Sequence, residues 1–284
     1  MTEFPVLDGL RIGCVKYLNS KPLIHAYRGP VVFDHPSGLA RGIAAGELDV
    51  ALVPIFEVLR GWRCHLSDSS SSASEAARSG TGLPPVTYQI VDGVAIASDG
   101  PVYSVFLAHR VPLSEIKTMA LDPASRTSAH LVQVLLREYH GIAPRCIDPG
   151  DSTLEPDAKL LIGNQAIEFR QRPGASKRIL DLGDEWKRCT GLPFVYATWL
   201  LRPGLKDPQG AAAELRRLRS AGLQCLPEII RAETERNPSF TERYLTQHIR
   251  FELGEREKAG IDRFRELLTK HQFIASRGEL LEYV

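Results

Sequence analysis

Ser125-Arg126-Thr127-Ser128 puts three hydroxyls and one guanidinium into four consecutive residues, directly after the apolar stretch Thr118-Met119-Ala120-Leu121-Asp122. A strand, a tight turn and a helix start in that order turn free backbone N–H groups toward one point. The orphan donors and the helix dipole both favour a carboxylate or phosphate there. The same residues also suit a plain serine N-cap followed by a surface arginine, so the tetrapeptide alone leaves both readings open. Ser37, ahead of Leu39 and Ile43, is a second helix start of the same kind, and ordinary capping is the simpler account of it. Two such starts on one cleft would suit a ligand with two negative ends.

Asn19 follows the first strand in Tyr17-Leu18-Asn19-Ser20, and its amide can both donate to and accept from a ligand hydroxyl or ether. Turn chemistry is the alternative, since asparagine readily bonds its own backbone. Ser104, between Tyr103 and Val105, carries a hydroxyl on a segment expected to cross the cleft. There is no G-x-S-x-G elbow, no G-x-x-x-x-G-K-[ST] loop and no G-x-G-x-x-G fingerprint. Asp34-His35 makes a poor acid–base pair, because neighbouring strand residues point to opposite faces. Asp49 and Asp122 stand at strand edges, where a turn or capping role is expected.

The elements that must position these groups are legible in outline. Residues 10–15 and 31–33 read as strands, and a helix from Ser37 stops at Gly46. Asp49 to Pro54 is an apolar strand without alternation, as in a sheet buried on both faces. The β-α-β order predicts a parallel sheet. Residues 94–97 and 105–108 are strands on either side of the turn Ser98-Asp99-Gly100-Pro101. A second block follows, with strand 118–122, an amphipathic helix from Ser125 to Tyr139, strand 159–163, a short helix near 165–169 and a return strand from Phe194 to Leu201. The chain from Pro208 to His271 reads as helical throughout, and Glu255 to Lys270 sets Ile261, Phe264, Leu267 and Leu268 on one stripe. Residues 67–85, rich in serine and turn formers, read as a surface loop. This order predicts an α/β protein of two lobes joined by two crossing strands near 100–110 and 194–200, with the ligand between the lobes.

The 284 residues suffice for two such lobes. With 35 basic against 34 acidic side chains the net charge is +1, which gives no support to nucleic acid or an anionic membrane as partner. Eight histidines include no H-x-x-x-H pair, and five scattered cysteines include no C-x-x-C pair, so no metal site is indicated. The first residues, MTEFPVLDGLRIGCVKYL, show neither a basic leader nor an apolar run of spanning length. A reduced cytoplasmic protein is expected.

Several blocks, taken in order, resemble the chorismate dehydratase family of the futalosine route to menaquinone. They are Arg11-Ile12-Gly13 running to Tyr17-Leu18-Asn19-Ser20-Lys21-Pro22-Leu23, His35-Pro36-Ser37-Gly38-Leu39, and Gly46 to Pro54. Val102-Tyr103-Ser104-Val105, Leu121-Asp122 with Ser125 to Ser128, Leu161-Ile162-Gly163, Asp181 to Trp186 and Thr190 to Trp199 continue the series. The resemblance implies a type II periplasmic-binding-protein-like fold with a helical C-terminal segment. One lobe would comprise 1–103 with 199–284, and the inserted lobe 104–198. It implies a lyase that eliminates water from chorismate to give 3-[(1-carboxyvinyl)oxy]benzoate, as a monomer or homodimer, with no cofactor, metal, nucleic acid or membrane. Asn19 and Ser104 are the expected catalytic residues. Tyr17, Ser37, Pro54, Ser125, Arg126, Thr127, Ser128, Asn164 and Phe194 are the expected substrate-binding residues. Asn164 stands where the family pattern leads one to expect an aspartate, and 67–85 looks like an insertion. Two other readings stay open: a non-catalytic solute-binding protein of the same fold, and the sister 1,4-dihydroxy-6-naphthoate synthase. The Tyr17-Leu18-Asn19 opening and the Ser125–Ser128 block favour the dehydratase.

Overall fold

Val50 to Pro54 is buried at every residue, as an apolar run without alternation requires of a strand covered on both faces. It lies inside a six-stranded sheet of the computed structural model, which describes residues 3–61, 88–122, 125–147, 155–172, 178–275 and 281–284. The expected loop at 67–85 lies outside the described residues. In chain order the strands are β1 (Ile12–Cys14), β2 (Val31–Phe33), β3 (Val50–Pro54), β4 (Gln89–Ser98), β5 (Val105–His109), β6 (Thr118–Ala120), β7 (Arg145–Ile147), β8 (Ala158–Ile162), β9 (Ile179–Asp181), β10 (Phe194–Leu201) and β11 (Glu282–Tyr283).

The first sheet has the order β11-β4-β10-β3-β1-β2 and the second β7-β6-β8-β5-β9. β1 pairs in parallel with β2 and β3, as β-α-β units dictate, while β10 runs antiparallel between β3 and β4. In the second sheet β6 is parallel to β7 and β8, and β5 is antiparallel to β8 and β9. The chain leaves the first sheet after Ser98 and returns to it at Phe194, which pairs with Ser98. β10 therefore sits whole in the first sheet, including the residues before 199 that the sequence assigns to the inserted lobe.

Three elements depart from expectation. The helix Pro36–Ala44 starts two residues earlier than a Ser37 cap would place it, with His35 as N-cap and no side-chain cap. Pro36 supplies the preset φ of a first helical residue, so Ser37 is not the cap. Gly46 follows the helix end at φ +72°, where a β-carbon is disfavoured. The turn after β1 is a 3-10 turn, Leu18–Ser20, running into a short helix, Lys21–Ile24. The C-terminal part is broken between the π-helical turn Tyr244–His248 and the helix Glu255–Lys270. There Arg250 exchanges backbone hydrogen bonds with Ala97 of β4 at 2.8 and 2.9 Å. The stripe Ile261, Phe264, Leu267 and Leu268 is buried as expected. No helix among the described residues is long and apolar enough to cross a membrane.

Candidate functional site

A cleft between the two sheets collects the carboxyl ends of several strands. It encloses about 620 Å³ including its open mouth. From the first sheet and its connections come Tyr17, Asn19, Pro36, Pro54 and Ile96. From the second come Ser104, Val105, Ser125, Ser128, Ile162 and Gly163, and β10 adds Tyr196. The polar lining is hydroxyls and one amide. No carboxylate, imidazole or cation is among the described residues that line it.

Each polar group is held by its own local structure. The Ser20 hydroxyl donates to the carbonyls of Val15 at 2.6 Å and Tyr17 at 2.8 Å, fixing the turn that carries Tyr17 and Asn19. Asn19 Oδ1 is buried and has no hydrogen-bond partner. An orphaned acceptor of this kind costs about 1–3 kcal/mol until a donor meets it, so a ligand hydroxyl is favoured beside it. Ser125 is the N-cap of the helix Arg126–Tyr139. Its Oγ accepts from the Ser128 N–H at 3.3 Å and donates to Ser128 Oγ at 2.9 Å. The helix start therefore meets the cleft with two linked hydroxyls.

Ser104 is buried, and its Oγ accepts a hydrogen bond from the Tyr244 hydroxyl at 2.8 Å. With one lone pair so engaged, the Ser104 proton is left to donate elsewhere. Burial pushes the Tyr244 phenol well above its ordinary pKa, opposed by hydrogen bonds with Ser104 and Asn19 and by the Arg236 charge. Tyr244 therefore stays a neutral donor. Tyr196 is likewise raised, first by burial and then by Asp181, and its hydroxyl lies 3.3 Å from Ser98 Oγ.

The backbone around Ser104 is tightly held. The Ser104 carbonyl accepts from Gly163 N–H at 2.8 Å. Gly163 has φ +56°, and a β-carbon there would sit 3.4 Å from the Tyr17 ring. Tyr103, just before Ser104, has φ +68°, an uncommon value for a bulky residue. The Asp181 carboxylate holds it there. Its Oδ1 accepts from Val102 N–H at 3.0 Å, and its Oδ2 accepts from Tyr103 N–H at 2.9 Å.

The structure brings Tyr17, Asn19, Pro54, Ser104, Ser125 and Ser128 to this one cleft. Ser37, Arg126, Thr127, Asn164 and Phe194 are not among its lining residues. Arg126 turns to Glu57, with Nη1 at 3.3 Å from Oε1, and its guanidinium lies 5.5 Å from the Phe56 ring centre. Thr127 Oγ1 accepts from Phe56 N–H at 3.1 Å, and His130 stacks on Phe56 at 3.6 Å. These two positions tie the lobes together. The Asn164 amide oxygen is buried without a partner, at the start of the helix Gly163–Gln171. The Phe194 ring packs in the core against Trp186 at 5.1 Å and Phe264 at 5.0 Å. Tyr196 and Gly163 line the cleft and Tyr244 backs Ser104, none of them among the residues expected there. Tyr244 comes from the C-terminal helices, and nothing local in the sequence links it to Ser104. The described residues gather one set of potential metal ligands, His25, Cys225 and Glu228, and none of them lines the cleft.

The architecture is that of the periplasmic-binding-protein-like proteins. It is similar to a crystal structure from Archaeoglobus fulgidus (TM-score 0.67, 16% identity, 93% of this chain and 98% of that one). It is also similar to the periplasmic aliphatic sulphonate binding protein of Escherichia coli (TM-score 0.57, 14% identity, 94% of both chains). Within that architecture the chain belongs to the menaquinone biosynthesis family, whose model matches residues 85–270. A curated relative, the chorismate dehydratase of Thermus thermophilus, is 31% identical over 281 residues, covering 90% of this chain and 94% of that protein.

Proposed function

We propose that this chain is a chorismate dehydratase, a carbon–oxygen lyase that converts chorismate to 3-[(1-carboxyvinyl)oxy]benzoate and water on the futalosine route. One observation carries the reading: the cleft offers a helix start with two linked hydroxyls on one side, and the orphaned Asn19 oxygen with the Ser104 hydroxyl on the other. The Ser125–Ser128 helix start holds a substrate carboxylate through N–H and hydroxyl donors, since Arg126 is engaged by Glu57. Asn19 and Ser104 hold the departing ring hydroxyl, with Tyr244 polarising Ser104. The hydrogen on the ether-bearing ring carbon leaves as a proton, its electron pair enters the ring, and the neighbouring carbon–oxygen bond breaks as hydroxide is protonated to water. The ring becomes aromatic, which drives the elimination without a strong protein base. The base is the substrate's own enolpyruvyl carboxylate.

In this reading the reaction needs no cofactor, and the protein works in the cytoplasm as a monomer or homodimer. The test is incubation of purified, chelator-treated protein with chorismate, following loss of the diene absorbance and the mass of the product. A product lighter than chorismate by one water is expected. Ser128→Ala should mainly raise KM, by the equivalent of about 1–3 kcal/mol, whereas Asn19→Ala should mainly lower kcat. Binding without consumption would leave the solute-binding reading standing and remove this one.

A further inference from the structure

We infer that His25, Cys225 and Glu228 form a binding site for a zinc-class divalent cation, outside the cleft and independent of the reaction proposed above. The three offer one imidazole nitrogen, one thiol sulfur and one carboxylate oxygen, all within 4.8 Å of one another. His25 Nε2 lies 3.7 Å from Glu228 Oε2. A tetrahedral ion bound at about 2.0–2.3 Å spaces its ligands roughly 3.3–3.7 Å apart. The imidazole and carboxylate already stand at that spacing. The Cys225 sulfur lies within 4.8 Å of both, and side-chain rotations at Cys225 and at Glu228, which is 65% exposed, close the remaining gap.

The backbone sets this meeting up. The helices Lys21–Ile24 and Pro208–Gln224 cross at Pro22 and Gly222 so closely that a β-carbon on Gly222 would sit 1.7 Å from the Pro22 carbonyl oxygen. His25 stands three residues after Pro22, and Cys225 stands three after Gly222. Each is one helical turn beyond the crossing point, on the same side. Glu228 is one turn further on, with its N–H donating to the Cys225 carbonyl at 3.0 Å. Among the described residues, none of the three side chains makes a hydrogen bond; the 3.7 Å His25–Glu228 approach is an ion-pair distance. Thiolate, imidazole and carboxylate together select zinc or its spectroscopic substitute cobalt over magnesium or calcium, which prefer oxygen sets. Three protein ligands leave a fourth position for water. A bound ion would staple the segment that continues from Asn19 to the C-terminal helices, and stabilise the fold by linkage.

The test uses the full chain, reduced and stripped with chelator, titrated with Co²⁺. A thiolate-to-cobalt absorption saturating at one equivalent, displaced by Zn²⁺, is the expected result. Cys225→Ser should abolish it, while serine at Cys64, Cys146 or Cys189 should leave it intact. Zn²⁺ should raise the melting temperature of the wild type and leave that of Cys225→Ser unchanged. Circular dichroism checks the variant's fold, and His25→Ala gives a second route to the same loss. Absence of the absorption at stoichiometric Co²⁺, or its persistence in Cys225→Ser, would overturn the site.

Discussion

The Tyr244 hydroxyl donates to Ser104 Oγ at 2.8 Å, joining residues 140 positions apart in the chain. The bond sets the C-terminal helical part against the cleft wall, because Ser104 lines the cleft and Tyr244 stands behind it. Tyr244→Phe removes the donor and keeps the ring. Both groups are buried, so the loss leaves Ser104 Oγ without its acceptor interaction, at a cost of about 1–3 kcal/mol. Spent in the transition state, that is roughly a ten- to hundredfold lower kcat with chorismate. On the role proposed for Ser104, at the departing hydroxyl, KM should change little. Steady-state kinetics with melting curves check it, and wild-type kcat in a folded Tyr244→Phe protein would remove Ser104 from the chemistry.

The Asp49 carboxylate makes a different prediction, about stability. It is 7% exposed and accepts from Arg11 Nε at 2.9 Å, Arg11 Nη2 at 3.0 Å and Arg11 N–H at 2.8 Å, with Arg202 on its other side. The Arg11 side-chain hydrogen bonds, with lesser help from the Arg11 N–H and Arg202, outweigh burial and hold the carboxyl well below the usual range. A depressed folded pKa gives stability that is complete above the unfolded value of about 3.9 and lost as pH falls below it. Asp49→Asn should therefore cost about 1–3 kcal/mol at pH 7. The gap to wild type should narrow as pH falls from about 5 to 3. Urea unfolding at three pH values measures it, and a gap that widens toward acid would contradict the assignment.

What the sequence showed and hid follows from the range of each interaction. β3 was legible because burial on both faces removes alternation, and the helix Glu255–Lys270 because its buried stripe repeats at helical spacing. Ser125 was legible as a helix start, since a cap acts within three residues. Ser37 misled because Pro36 one residue earlier is the stronger start signal. β7 and β9 are three residues each and carry charged or partly exposed positions, too short for periodicity to show. Arg126 looked like an anion ligand until folding set Glu57 beside it. Tyr244 could not be reached at all, because its partner is set by tertiary packing.

Asp181 allows the two jobs of one carboxylate to be separated. Its Oδ1 accepts from Gly183 N–H at 3.1 Å and Asp184 N–H at 3.2 Å, capping the helix Leu182–Thr190, and also from Val102 N–H. Its Oδ2 accepts from Tyr103 N–H at 2.9 Å and Arg170 Nη2 at 3.2 Å. Asp181→Asn can keep the first oxygen as acceptor and the helix cap with it, since asparagine caps about as well as aspartate. The amide nitrogen that replaces Oδ2 cannot accept, so Tyr103 loses what holds it at φ +68°. A left-handed conformation at such a residue costs roughly 1–3 kcal/mol and persists only where its surroundings impose it. Released, Tyr103 should relax toward negative φ and swing the following Ser104 away from the cleft. The expected result is a kcat about tenfold lower, with a melting temperature lowered as well, because Arg170 loses its carboxylate partner. Adding Tyr103→Gly should restore part of the lost turnover, because glycine adopts positive φ without strain. If Asp181→Asn lowers only the melting temperature and leaves kcat unchanged, the carboxylate serves stability alone and the positive φ of Tyr103 is held by the packing of its ring against Arg170 and Phe240.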